Sequence, residues 1–122
     1  YVANWVMDDL PDWLHAKPKP VLAVPYTVEL NDIPMMAVQY HRSDEMYHRG
    51  VLQLDRLWRD AAKIPRVMAI SVHPYITGVP HRIDAFEKLL DAVLAKPEVK
   101  VMTGEKIADW YTAQVPASAA FK

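Results

Sequence analysis

The feature that most restricts the fold is the apolar run at residues 67–72, Val67-Met68-Ala69-Ile70-Ser71-Val72, which lies between Pro65 and Pro74. Six residues make too short a stretch for a stable helix. A nearly unbroken apolar run of this length suits a strand covered on both faces, as in a parallel sheet flanked by helices. The run ends at His73-Pro74. The sequence therefore predicts a strand that delivers a histidine to its C-terminal end, where ligands bind in folds of this class.

The neighbouring segments support an α/β arrangement. Residues 2–7 and 99–102 read as further short strands, and Val21-Leu22-Ala23-Val24 as a buried one stopped by Pro25. Residues 8–13 read as a polar turn, and residues 26–40, with Asn31-Asp32 and Pro34, as a long loop able to line a site. Ser43, followed by Asp44 and Glu45, is placed to start a helix whose apolar stripe is Tyr47, Val51, Leu54, Trp58 and Ala61. Residues 73–81 read as a loop. A second helix spans residues 82–95 with Ile83, Phe86, Leu89, Leu90, Val93 and Leu94 on one face, and a third spans residues 104–113, capped by Thr103. Strands alternating with helices imply parallel strands joined by helical crossovers. Residues 1–113 are expected to form one body and residues 114–122 a flexible tail.

Composition narrows the functional classes. The net charge is -1, with acidic and basic residues interspersed, so no surface for nucleic acid or an anionic membrane is expected. No apolar run nears the roughly 20 residues needed to cross a bilayer. The chain has no cysteine, which excludes disulfides and thiolate metal sites and fits a cytoplasmic location. It begins at Tyr1 within strand-like sequence, as a piece of a longer protein would.

Several side chains can carry chemistry. His73 at a strand end suits a general acid or base near neutral pH, or a plain cap of the strand end, and position alone leaves both open. His81 and Arg82 could bind an anion or carbonyl oxygen at the start of a helix, or serve as cap and solvated surface. Asp8, Asp9 and Asp12 cluster near another strand end, where they could orient a catalytic group or form a solvated turn. Trp5 and Trp13 could wall a sugar site or belong to the core. Glu29, Asn31 and Asp32 form a weaker group. His15, His41 and His48 have no ligand spacing and read as surface. No zinc motif, phosphate-binding glycine loop or nucleophile elbow is present.

Four segments in this order resemble a known pattern: Trp5-Val6-Met7-Asp8-Asp9-Leu10-Pro11, then Pro25-Tyr26-Thr27-Val28-Glu29-Leu30-Asn31-Asp32, then His73-Pro74-Tyr75-Ile76-Thr77-Gly78-Val79-Pro80-His81-Arg82, then Thr103-Gly104-Glu105-Lys106-Ile107-Ala108-Asp109-Trp110-Tyr111. Together they resemble the C-terminal half of the polysaccharide deacetylase superfamily, in its allantoinase-like branch. The HPYxxGxPHR stretch is the most specific. The resemblance implies the C-terminal half of a distorted (β/α) barrel that hydrolyses amide-type C–N bonds. His73 would protonate the leaving amine. Trp5, Asp8, Asp9, Tyr75, His81 and Arg82 would face the substrate, an N-acylated sugar or a ureide. An acidic residue of the penultimate motif would orient the machinery, and here Asn4, or else Asp8 or Asp9, occupies its place.

The family's early motifs, which supply the aspartate base and the ligands of a divalent metal such as zinc, are not recognisable in this sequence. This chain is thus expected to bind no metal by itself and to be inactive alone. The remainder of the same enzyme, or a second chain, would cover its open sheet edges. The alternatives are an inactive carbohydrate-binding or structural fragment and an allantoinase-like cyclic-amide hydrolase.

Overall fold

A computed structural model describes residues 1–121. It shows a mixed α/β chain with few strands. In order, the elements are β1 (Asp12–Leu14), β2 (Val21–Ala23), a π-helix (Ile33–Val38), α1 (Glu45–Asp60), α2 (Pro74–Thr77), α3 (Pro80–Ala95), α4 (Gly104–Gln114) and α5 (Ala117–Ala120). They fall into two compact units, one made of Tyr1–Tyr26 with the chain from Val101 onward, the other of Thr27–Lys100.

In the first unit β1 and β2 form an antiparallel hairpin in which Trp13 lies opposite Leu22. Leu22, Val24, Ala108 and Tyr111 form its core, with Leu10, Trp13, Ile107 and Val115 packed around them. The indole N–H of Trp13 donates to the Val115 carbonyl at 2.8 Å, which ties the hairpin to the end of α4. Thr103 caps α4 as expected, its hydroxyl accepting from the Lys106 amide at 3.3 Å. Burial and the nearby Asp12 charge raise the Tyr111 phenol above its ordinary pKa, so it stays protonated and neutral in the core.

Two expectations for this unit change. Residues 2–7 pair only at Val2, by a single parallel bridge to Ala23, and Val6 and Met7 are exposed. One edge of β2 is already taken by β1, and the chain leaves the other after one contact. The first strand lies at Asp12–Leu14, overlapping the end of the stretch, residues 8–13, that reads as a polar turn. Cross-strand pairing with β2 and burial of Trp13 decide it, and local polarity does not. Residues 99–102 join no ladder, and Val99, Val101 and Met102 are exposed.

In the second unit the buried core is Leu30, Met35, Met36, Met46, Ile76 and Leu89, with Tyr47, Met68, Ile70 and Val93 packed against it. The run at residues 67–72 makes one parallel bridge, Ser71 to Asn31. The Ser71 amide donates to the Leu30 carbonyl at 2.9 Å, and the Asp32 amide donates to the Ser71 carbonyl at 3.2 Å. The run is half-buried instead of covered on both faces: its backbone pairs through the single bridge at Ser71, and Met68 and Ile70 pack against the core. Parallel pairing thus occurs as single bridges, and the one ladder among the described residues is antiparallel.

The stretch 26–40, expected as a long loop able to line a site, contains the π-helix Ile33–Val38. Leu30, Asn31, Asp32, Met35 and Met36 are buried, and the Thr27 hydroxyl and the Asn31 side chain accept the Leu30 and Ile33 amides at 2.9 and 3.1 Å. Helix α1 starts at Glu45, with Asp44 rather than Ser43 at the N-cap position. Its buried stripe is Met46, Gly50, Leu54 and Leu57, and Trp58 and Ala61 lie outside it. A glycine carries no hydrophobic signal, yet Gly50 is what lets α1 approach α3. A Cβ placed on it would stand 2.5 Å from both methyls of Leu89, which is fully buried. On α3 only Leu89 is buried, and Leu90 and Leu94 are exposed.

This contact yields a prediction. Gly50→Ala overpacks the α1–α3 contact and lowers stability by about 1–3 kcal/mol. Leu89→Ala opens a cavity and costs about 2–5 kcal/mol. The added methyl fills part of that cavity, so the double variant is destabilised by less than the sum of the two. Urea unfolding of the three variants measures the difference.

Candidate functional site

The bridge between Asn31 and Ser71 sets Asp32 beside His73. The carboxylate of Asp32 is fully buried. It accepts three hydrogen bonds: the His73 amide to Oδ2 at 2.6 Å, His73 Nδ1–H to Oδ1 at 2.7 Å, and the Thr77 hydroxyl to Oδ2 at 2.7 Å. Burial alone would raise the pKa of Asp32. The donated hydrogen bonds and the nearby imidazole outweigh it, and the carboxyl sits below its ordinary range. Asp32 is therefore ionised at neutral pH.

Backbone conformation explains why His73 and Thr77 converge. His73 is extended, with φ -116° and ψ 129°, and Pro74 follows with its fixed φ and starts α2. The carbonyl of His73 accepts from both the Ile76 and Thr77 amides at 2.9 Å, closing a single turn that brings the Thr77 hydroxyl back towards Asp32. The His73 side chain makes no cap bond to α2. It is committed to Asp32, which fixes Nδ1–H as the inward nitrogen and leaves Nε2 for chemistry. One-third of the His73 side chain remains exposed.

The other candidates divide. Tyr75 is 71% exposed, and its ring centroid lies 5.5 Å from that of His73. His81 and Arg82 are not in a loop but in the first turn of α3. The Arg82 and Ile83 amides both donate to the Val79 carbonyl at 3.0 Å, so they are not available to an anion. His81 is exposed and lines a shallow groove with Tyr47, His48, Asp84 and Lys88. The Arg82 guanidinium turns inward and donates to the Ile76 carbonyl at 3.1 Å.

Trp5, Asp8 and Asp9 belong to the first unit. Trp5 is 59% exposed, and Asp8 Oδ1 accepts the Asp9 amide at 2.6 Å. The carboxylate that holds His73 is Asp32, a residue placed above only in a weak group, and not Asn4, Asp8 or Asp9. Thr77 was not singled out. Its only signal was its place inside the HPYxxGxPHR stretch. Among the described residues no three His, Asp or Glu side chains gather as metal ligands do. No helix among them is long and apolar enough to cross a membrane.

The ionised Asp32 gives a pH prediction. Its folded-state pKa is depressed, so its contribution to stability is complete above the ordinary aspartate value of about 3.9 and is lost as pH falls through the lower folded-state value. Asp32→Asn leaves a donor of His73 or Thr77 without its acceptor and lowers stability by about 1–3 kcal/mol near neutral pH. The gap to the unsubstituted chain narrows below about pH 4. Urea unfolding between pH 3 and 7 tests this, and a gap that is constant with pH contradicts it.

Comparison with known proteins finds relatives in sequence and in overall fold. No family model matches the chain. The chain is 34% identical over 123 residues to the "Putative polysaccharide deacetylase" of Schizosaccharomyces pombe, covering 92% of this chain and 38% of that protein. Its fold matches the crystal structure of "probable Polysaccharide deacetylase from Pseudomonas aeruginosa PAO1" with a TM-score of 0.81 and 28% identity. It matches that of PuuE allantoinase with a TM-score of 0.82 and 26% identity. Each structural match covers 89% of this chain and 37% of the other. The chain thus spans little more than a third of these relatives, and in sequence and fold it is similar to polysaccharide deacetylases and to an allantoinase.

Proposed function

We propose that the Asp32–His73 pair is the proton-donating side of a hydrolase that cleaves an amide-type C–N bond in an N-acylated sugar or a related ureide. The observation that carries this is the 2.7 Å hydrogen bond from His73 Nδ1 to a buried, ionised carboxylate. An amine leaves an acyl carbon poorly unless its nitrogen is protonated as the bond breaks. With Nδ1–H held by Asp32, Nε2 is the atom that carries the proton to that nitrogen. The carboxylate also balances the charge of the ring in its protonated form, as in other acid–base pairs of this kind.

The aspartate base, and the ligands of a divalent metal such as zinc, come from residues of the complete enzyme outside this chain. The chain is then part of a distorted (β/α) barrel, the rest of which pairs with its extended segments, and it is inactive alone. Tyr75, exposed beside the imidazole, offers a ring face to the substrate. Trp5, Asp8 and Asp9 are retained as substrate-facing candidates of the first unit.

A cyclic ureide is the second reading of the substrate, supported by the equally good fold match to an allantoinase. Replacing His73 by alanine in the complete enzyme lowers turnover of N-acetylated chito-oligosaccharides or of allantoin by roughly 100-fold or more. Which of the two substrates is turned over decides between the readings. Undiminished turnover by the variant removes His73 from the acid role. Retained binding of chito-oligosaccharides with no turnover even in the unsubstituted enzyme favours a carbohydrate-binding protein.

A further inference from the structure

We propose that Arg82 is a positioning residue for His73, acting through the turn α2. The inference rests on the reading of His73 as the proton donor. Helix α2 is a single four-residue turn, and an isolated turn of that length has no stability of its own. Its last carbonyls have no partner within the helix. Arg82 supplies one: its guanidinium donates to the Ile76 carbonyl at 3.1 Å. The next residue, Thr77, holds Asp32 Oδ2, and the residue that opens the turn is His73.

Arg82 itself stands on a firm element. Helix α3 runs for four turns and is anchored by the fully buried Leu89. The guanidinium therefore joins a packed helix to the one turn whose two ends grip the Asp32 carboxylate.

A second observation points the same way. Arg82 Nε is buried and has no hydrogen-bond partner. A buried donor without an acceptor destabilises a fold, and a residue carrying one is not there for surface solubility. The rigid planar fork explains its use here. Arginine directs one N–H along a fixed line to a carbonyl while the rest of the group stays planar, which a flexible ammonium cannot do.

The test reads the imidazole directly. Side-chain nitrogen NMR of the chain, at a pH where the ring of His73 is neutral, gives the ratio of the Nδ1–H and Nε2–H tautomers. General loss of stability does not move this ratio. The unsubstituted chain is expected to show Nδ1–H almost alone. Arg82→Met, which keeps the bulk and removes the donor, raises the Nε2–H share about tenfold, as loss of a well-aimed charge-assisted bond would. Arg82→Lys gives an intermediate rise. An unchanged tautomer ratio in both variants overturns the proposal. If Arg82→Met does not fold, Arg82→Lys decides by the same criterion. A shifted ratio combined with undiminished turnover by His73→Ala leaves Arg82 as the positioning residue but removes the acid role from His73, so the two failures are distinguishable.

Discussion

A buried carboxylate is the constraint around which the second unit is arranged. Asp32 is fully removed from solvent and ionised. An isolated carboxylate in that setting would cost several kcal/mol, and it persists only where donors replace the water it has lost. All three donors come from the five residues His73 to Thr77. The Asn31–Ser71 bridge, the extended backbone at His73 and the proline-started turn after it are each needed for those donors to converge. Removing any one leaves a charge in the interior with too few partners.

This dependence explains what could be read in the sequence and what could not. The apolar run ending at His73-Pro74 is a local signal, and it points to the histidine that pairs with the buried Asp32. The identity of its partner is not local. Asp32 lies 41 residues away, in a stretch with Asn31 and Pro34 that reads as a loop, and pairing between residues 30–32 and Ser71 brings it in. The four family-like segments already contained Asp32, His73 and Thr77, so the signal lay in the pattern and not in composition or periodicity.

The same contrast holds for the fold. Helices α1, α3 and α4 were legible from apolar spacing and, for α4, from the Thr103 cap. The buried face of α1 was misjudged because its central contact is Gly50, which the eye passes over when it counts apolar residues. The strands were legible only as short apolar stretches. A strand exists by virtue of its neighbour, and residues 67–72 and 99–102 have a strand's composition without a ladder here. Conversely, Asp12 and Trp13 end the stretch that reads as a polar turn, yet with Leu14 they form β1, because β2 is there to receive them.

The His73 site also bears on how a catalytic centre can be divided along a chain. An acid and a base acting on one bond need independent orientation, since each must hold a different tautomer or charge state as the reaction proceeds. Among the described residues, the groups that hold His73 lie within residues 27–100: Asp32 on one side, Thr77 across the turn and, as proposed, Arg82 through the Ile76 carbonyl. The proposed proton donor is thus oriented by its own unit, without requiring any residue from the rest of the enzyme. On the proposed reading, the remainder of the enzyme would add a substrate placed against Nε2 and a base on its other face, with the imidazole's tautomer already set by Asp32.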